Sequence, residues 1–507
     1  MIVVMVGIVL LGYFIMKRID AFDARGGFRP EWERPEFLPP PEKESLRPSR
    51  PEHEPAMEIL SRPARKSGHW SATRILSVGF AAMILIGALL LCLPISARDG
   101  RWIPFMDALF TATSATCVTG LALFDTWTRF SGFGQVIIIL LIQIGGLGFM
   151  TVAITFSLAL GRRIGLRERS LLAEAVSSSQ IGGVVRLVKR TLIGTLIIES
   201  AGALLLAIRF VPMFGLWRGI WYSVFHSISS FCNAGFDLMG IVKPNSSLTA
   251  FVGDPIVSLT VAALITLGGL GFVVWNDLVD CRFMYKKLRL HTRVVLIATG
   301  VLIAGGAVLF AAFEWNGVMA GMNPSERALA SIFQSVTPRT AGYATVDMAS
   351  LSDDSKLLTI FLMFVGASPG GTGGGVKTTT FIVVMAAVIA SLRGREDTTT
   401  GRYRLEPELL QRAFCGMAIY AAMAFAGIMV LCAQGQSALD STFECMSALG
   451  TVGLSTGITP TLPQLSRVVL IVLMYAGRVG SLTVFLAVTR THNEAKLRDP
   501  VGKVIVG

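Results

Sequence analysis

Apolar and polar positions along this chain fall into long blocks. Runs such as "ILSVGFAAMILIGALLLCLPI" and "FGQVIIILLIQIGGLGFMTVAITFSLAL" are long enough to cross a hydrocarbon core, which needs about 20 residues. Between the long runs come shorter, moderately apolar ones rich in Ser and Thr: "FMDALFTATSAT", "WYSVFHSISSF", "ALASIFQSVTP" and "LDSTFECMSAL". These predict helices too short to span. Each leads into a glycine string: "TCVTGLALFD", "FCNAGFD", "RTAGYATVD" and "GTVGLSTG". The glycines, Gly120, Gly235, Gly342 and Gly453, are spaced by 115, 107 and 111 residues. A shared order at a shared spacing predicts one unit used four times: outer helix, half-length re-entrant helix, glycine loop, inner helix. The predicted fold is an all-α polytopic membrane protein with four-fold pseudosymmetry around one pore, plus an extra N-terminal apolar segment. The units read as residues 71–160, 185–280, 288–392 and 406–490, with a tail at 491–507.

The register agrees beyond the glycines. Asp107 and Asp440 both lie 13 residues before theirs, where an N-cap of the short helix is expected. Downstream, "IGGLGFMTV" and "LGGLGFVVW" match almost residue for residue, and "VGASPGGTG" and "YAGRVGSLTV" occupy the same place in units three and four. A re-entrant helix aims its partly negative C-terminal end at the protein centre. The extended residues that follow can turn carbonyl oxygens inward, and glycine supplies the unusual φ/ψ. Four such loops make oxygen rings that replace the hydration shell of a monovalent cation. The candidate ring residues are Thr116, Cys117, Val118, Thr119 and Gly120; Cys232, Asn233, Ala234 and Gly235; Arg339, Thr340, Ala341 and Gly342; Gly450, Thr451, Val452 and Gly453. His226 and Glu444, nine residues before their glycines, read as braces of the short helices. Asp125, Asp237 and Asp347 follow the strings, either concentrating cations or capping turns.

Two segments break the membrane pattern. "FLMFVGASPGGTGGGVKTTTFIVVM" puts Gly370, Gly371, Thr372, Gly373, Gly374, Gly375 and Lys377 into the inner helix of unit three, with the interruption at 366–377. Such a break survives in a bilayer only where protein or a water-filled cavity surrounds it. A phosphate loop is excluded, because Val376 precedes the lysine and apolar spans flank the segment. Arg478 is the only charge in "VVLIVLMYAGRVGSLTVFLAV". It either faces the pore, raising the barrier to cations, or pairs with helix C-terminal carbonyls or Glu199.

Composition narrows the class. Of 507 residues, 52% are hydrophobic and 15% charged, as in a polytopic membrane protein. The net charge of +12 falls in "GRRIGLRERS" with "RLVKRT", in "CRFMYKKLRLHTR", in "SLRGREDTTTGRYR" and in the tail "TRTHNEAKLRDP". That alternation marks these regions as cytoplasmic and leaves nothing for nucleic acid. Seven cysteines without CxxC spacing argue against zinc or a disulfide framework. No catalytic constellation appears, so an enzyme is not expected. An organic-solute carrier would show inverted repeats, whereas these are parallel. Residues 1–16 read as a short membrane segment, and 17–70, with nine prolines between Pro30 and Pro63, as a cytoplasmic linker.

"TSATCVTGL", "IQIGGLGFMT", "SPGGTGGGVKTTTF" and "YAGRVGSLT" together resemble the membrane subunit of Ktr-type potassium transporters, within the Trk/Ktr/HKT superfamily. The resemblance covers residues 71 to 490. It implies potassium uptake across the cell membrane, with K⁺ as substrate, Na⁺ as a second candidate, and no bound cofactor. It further implies gating by the glycine-rich loop and the pore arginine, a homodimer, and a cytoplasmic ring of nucleotide-binding regulatory subunits. Glycine at Gly120, where sodium-selective plant relatives have serine, implies preference for potassium. A Trk-type subunit, the alternative, would carry two additional leading helices where this chain shows one.

Overall fold

The computed structural model describes residues 72–148, 184–395, 397–400 and 403–480. The N-terminal segment, the linker and the tail inferred from the sequence lie outside the described residues. Among the described residues, four helices are long and apolar enough to cross a membrane, and they are the first helix of each unit. They are α1 (Ala72–Cys92), α5 (Val184–Phe214), α9 (Leu290–Glu314) and α13 (Pro407–Ala433).

Helix α5 shows why they form. Val188, Thr191, Thr195, Glu199, Gly202, Leu206 and Phe210, at steps of three and four, are buried, while Leu196, Ile197 and Leu204 are exposed. In mid-helix the polar Thr191, Thr195 and Glu199 face the protein while large apolar side chains face outward, the reverse of a soluble helix and the order a bilayer demands.

The short runs become α2 (Phe105–Thr116), α6 (Leu216–Phe231), α10 (Pro324–Val336) and α14 (Ala438–Leu449). Their 12 to 16 residues give about 18–24 Å at about 1.5 Å per residue, short of a bilayer core of about 30 Å. Asp107 and Asp440 are not the N-caps. Pro104 and Ser437 hold that position, and the aspartates stand in the first turn. The Ser437 hydroxyl accepts from the Asp440 amide and donates to its carboxylate, so the serine takes the cap while the carboxylate faces the helix dipole.

Inner helices follow: α4 (Gly132–Leu147, after the one-turn α3, Thr126–Arg129), the pair α7 (Pro255–Leu270) and α8 (Phe272–Asp280), the pair α11 (Asp353–Phe364) and α12 (Thr378–Leu392), and α15 (Gln464–Val479). A hairpin, β1 (Thr399–Thr400) with β2 (Tyr403–Arg404), joins units three and four. The sequence points to one interrupted inner helix, yet unit two is interrupted as well, and the described inner helices of units one and four end at the matching glycine. Gly148, Gly271 and Gly480 stop theirs with φ of +83°, +94° and +96°, a left-handed turn that ends an α-helix without side-chain clash. At Gly271 the chain bends by 92°. Unit three replaces that single glycine with a loop.

Close packing fixes the inner helices to the short ones. A Cβ on Gly145, Gly268 or Gly477 would overlap the last carbonyl of the neighbouring short helix, at Thr116, Phe231 or Leu449. The circle closes where Arg467 of α15 reaches Asp107 of α2 at 3.0 Å, its guanidinium also donating to the Leu462 and Pro460 carbonyls. The pair is mostly shielded from solvent. Arg467→Ala should therefore destabilise the protein by about 2 kcal/mol, read as a lower melting temperature in detergent. An unchanged melting temperature would mean that the ring does not depend on this strap.

Candidate cation site at the centre of the fold

The four glycine strings meet. Two residues before each glycine, Val118, Asn233, Thr340 and Thr451 take positive φ of 58°, 61°, 78° and 50°. The glycines two residues on repeat this at 100°, 69°, 82° and 88°. A left-handed non-glycine residue costs roughly 1–2 kcal/mol, so four together need a strong local cause. The cause is visible in the amides. Thr119 N donates to Ser114 O at 2.8 Å, Ala234 N to Ser229 O at 2.7 Å, Val452 N to Ser447 O at 2.8 Å and Ala341 N to Thr337 O at 2.9 Å. The short helices thus hold the loop amides. Among the described residues, the carbonyls of Val118, Thr119, Asn233, Ala234, Thr340, Ala341, Thr451 and Val452 accept no hydrogen bond.

The loops interlock in order. A Cβ on Gly120 would lie 2.5 Å from Ala234 O, one on Gly235 2.6 Å from Ala341 O, and one on Gly342 2.5 Å from Val452 O; one on Gly453 would overlap Thr119 O. Each glycine therefore makes room for the carbonyl of the next unit, and the fourth returns to the first. A ring of unpaired carbonyl oxygens at protein depth is what a dehydrated cation needs.

Not every candidate residue turns toward that ring. The Cys232 thiol sits behind it, 3.6 Å from Gln143 Oε1, and the Arg339 guanidinium reaches back to Thr299 Oγ1 at 3.3 Å. Asn233 links neighbouring strings: with its nitrogen donating to the Ser230 and Ile265 carbonyls, its oxygen accepts from Thr340 Oγ1 at 3.1 Å. Above the ring, the buried His226 ring accepts from Leu238 N at 3.3 Å. The buried Glu444 carboxylate accepts from the Ser455 and Thr459 hydroxyls and Thr456 N. Both hold the segment that leaves the loop, as braces. Asp125 accepts from Thr128 N and Asn245 N, Asp237 from Met239 N, and Asp347 from Ala349 N and Ser350 Oγ. Each caps a turn.

Beneath the ring lies the segment between α11 and α12. Gly366 N bonds Val376 O and Ala367 N bonds Gly374 O, making a narrow folded loop. Its backbone is satisfied by the break in the inner helix of unit two. Ser368 N donates to Gly269 O, Thr372 N to Gly268 O, and Phe272 N to Gly370 O, all within 3.1 Å. The Thr372 hydroxyl donates to Phe231 O. A Cβ on Gly373 or Gly374 would overlap Thr340 Oγ1 or Thr451 Oγ1, so the loop sits directly against the ring's lower residues.

Lys377 folds its ammonium back onto the Gly373 and Gly374 carbonyls at 2.7 and 3.5 Å. Arg478 stands where the matched segments of the other units carry Gly146, Gly269 and Ala367. Its guanidinium donates to the carbonyls of Gly145 and Gly146, at the C-terminal end of α4, and to Thr372 O in the loop. Of the partners open from sequence, the carbonyl cluster is the one realised. Glu199 takes its hydrogen bond from Gln143 instead.

A match to the family model described as TrkH, cation transport protein, runs over residues 71–499. The chain belongs to that family. Ktr system potassium uptake protein B of Bacillus subtilis is 41% identical over 86% of this chain and 96% of its own length. Potassium/sodium uptake protein NtpJ of Enterococcus hirae is 39% identical over 89% of this chain and all of its own. The solved potassium transporter TrkH from Vibrio parahaemolyticus superposes with a TM-score of 0.66, covering 84% of this chain and 86% of that one, at 19% identity. That likeness supports the fold alone. This TrkH-family chain is thus a polytopic membrane protein of a transporter family, not an enzyme.

Proposed function

We propose that this protein takes up potassium across the cell membrane, passing the ion through the ring around Gly120, Gly235, Gly342 and Gly453. The observation that carries this reading is the closed circle of four glycines, each against a neighbouring carbonyl that accepts no hydrogen bond among the described residues. Relatives named as potassium and as potassium/sodium uptake proteins make K⁺ the first substrate and Na⁺ the competitor.

The loop at 366–377 is the gate in this reading. It lies against Thr340 and Thr451, and Arg478 fastens it to α4. The basic loops and the C-terminus face the cytoplasm. The protein works as a homodimer under a cytoplasmic ring of nucleotide-binding subunits, by analogy with relatives named as parts of a Ktr system.

Purified protein in liposomes should take up ⁸⁶Rb⁺, with K⁺ competing better than Na⁺. Absence of uptake from correctly inserted protein, with and without a regulatory subunit, would sink the reading. Deleting residues 1 to 66 should leave that uptake within about twofold, since every described contact of the ring lies beyond residue 71. Loss of uptake by inserted, truncated protein would assign the N-terminal segment a part in transport.

A further inference from the structure

Below the loop lies a cavity of about 770 Å³. It is bounded by the loop, the start of α12, the end of α15, and faces of α1 and α13. Its charged lining is of one sign: Lys377, Arg478 and Arg412, with His291 beside them, and no carboxylate among the described residues. Among the described residues, the ammonium and the pore guanidinium are held only by backbone carbonyls, which leave their charge uncancelled.

The start of α12 adds to this field. Lys377 is its N-cap and supplies no side-chain cap. The amides of Thr379 and Thr380, which line the cavity, have no acceptor among the described residues. A helix N-terminus with free amides attracts anions. Two further groups point to a ligand. Thr400 and Tyr420 line the same cavity, are 3% and 4% exposed, and their hydroxyls have no hydrogen-bond partner among the described residues. A buried hydroxyl without a partner is costly. Here two of them share one cavity lining with the cations and a helix N-terminus.

We propose that this cavity binds a phosphate group, either free in solution or carried by an anionic phospholipid entering between α1 and α13. Arg412 and Lys377 supply the charge, the first turn of α12 its amides, and Thr400 and Tyr420 their hydroxyls. Leu76, Phe80 and Met417 form an apolar wall that suits the start of an acyl chain. Binding there does not depend on the loop acting as a gate. Its consequence does: a bound anion would cancel the field that Lys377 and Arg478 set against cations below the ring.

The test measures binding, not flux. Full-length protein in detergent is titrated with inorganic phosphate, with dioctanoyl phosphatidate, and with neutral dioctanoylglycerol. The variants Arg412→Gln, Thr400→Val and Tyr420→Phe, checked by size exclusion, are titrated in parallel. Saturable binding of phosphate, weakened about tenfold by Arg412→Gln and less by the two hydroxyl losses, supports the site with a soluble ligand. The same pattern with phosphatidate alone supports it with a lipid ligand. The proposal is overturned if neither anion saturates, if dioctanoylglycerol binds as well as phosphatidate, or if all three variants bind like the parent.

Discussion

A chain lacking Gly371 to Gly374 should take up ⁸⁶Rb⁺ about ten times faster than the parent in the absence of any regulatory subunit, the change expected when about 1.4 kcal/mol leaves a barrier. Four features of the loop converge on this outcome. Gly373 and Gly374 leave no room for a Cβ beneath Thr340 and Thr451, so the backbone itself fills the space under the ring. Thr372 anchors the loop to Gly268 O and Phe231 O. Arg478 grips it at Thr372 O, and Lys377 folds it on itself at Gly373 O. The deletion removes the obstruction, the anchor and both grips together. The variant must elute as assembled protein before its flux is read, because lost packing against α7 and α8 would also change transport. Assembled variant no faster than the parent would mean that the loop is not the barrier. Arg478→Ala then separates the two elements. It removes a charge and three hydrogen bonds while keeping the loop's ties to α7, and it should raise flux less than the deletion does.

The hydrophobic pattern revealed the four-fold plan because a bilayer punishes error at every residue: long runs had to be outer helices, and short runs before glycines had to be re-entrant. Side-chain direction was harder to read. Cys232 and Arg339 belong to the strings by sequence, yet they point behind the ring, since alternate positions of a tight loop face opposite ways. The caps of α2 and α14 lie three residues earlier than the aspartates suggest, for a related reason. An acidic residue in the first turn complements the helix dipole as well as one at the cap, and sequence alone does not separate the two. The helix ends at Gly148, Gly271 and Gly480 were legible in principle, because "GGLGF" and "AGRVG" carry the glycine at the same place. What sequence could not supply was the partner of the long loop. The carbonyls of Gly268 and Gly269 lie about a hundred residues earlier in the chain and are free to bond it only because α7 ends there.

Replacing Gly120 with serine should lower the preference for K⁺ over Na⁺ by about tenfold, corresponding to about 1.4 kcal/mol of lost discrimination. The site explains why so small a change acts strongly. Gly120 has φ of +100°, which a serine adopts only with strain. Its new Cβ would stand 2.5 Å from Ala234 O and 3.2 Å from the Gly235 Cα. One of the two must move, and both belong to the string of the next unit. The carbonyl of Ala234 accepts no hydrogen bond among the described residues, so nothing in the hydrogen-bond pattern holds it against the push. A displaced oxygen loosens the cage, and a loosened ring favours the larger ion less. Gly132→Ser is the matched control. That glycine opens α4 with no heavy atom within 4 Å of where a Cβ would stand, and its variant should keep the parent's selectivity. The measurement is ⁸⁶Rb⁺ uptake in liposomes under competition by K⁺ and by Na⁺. Parental ratios for both variants would remove unit one from the ring.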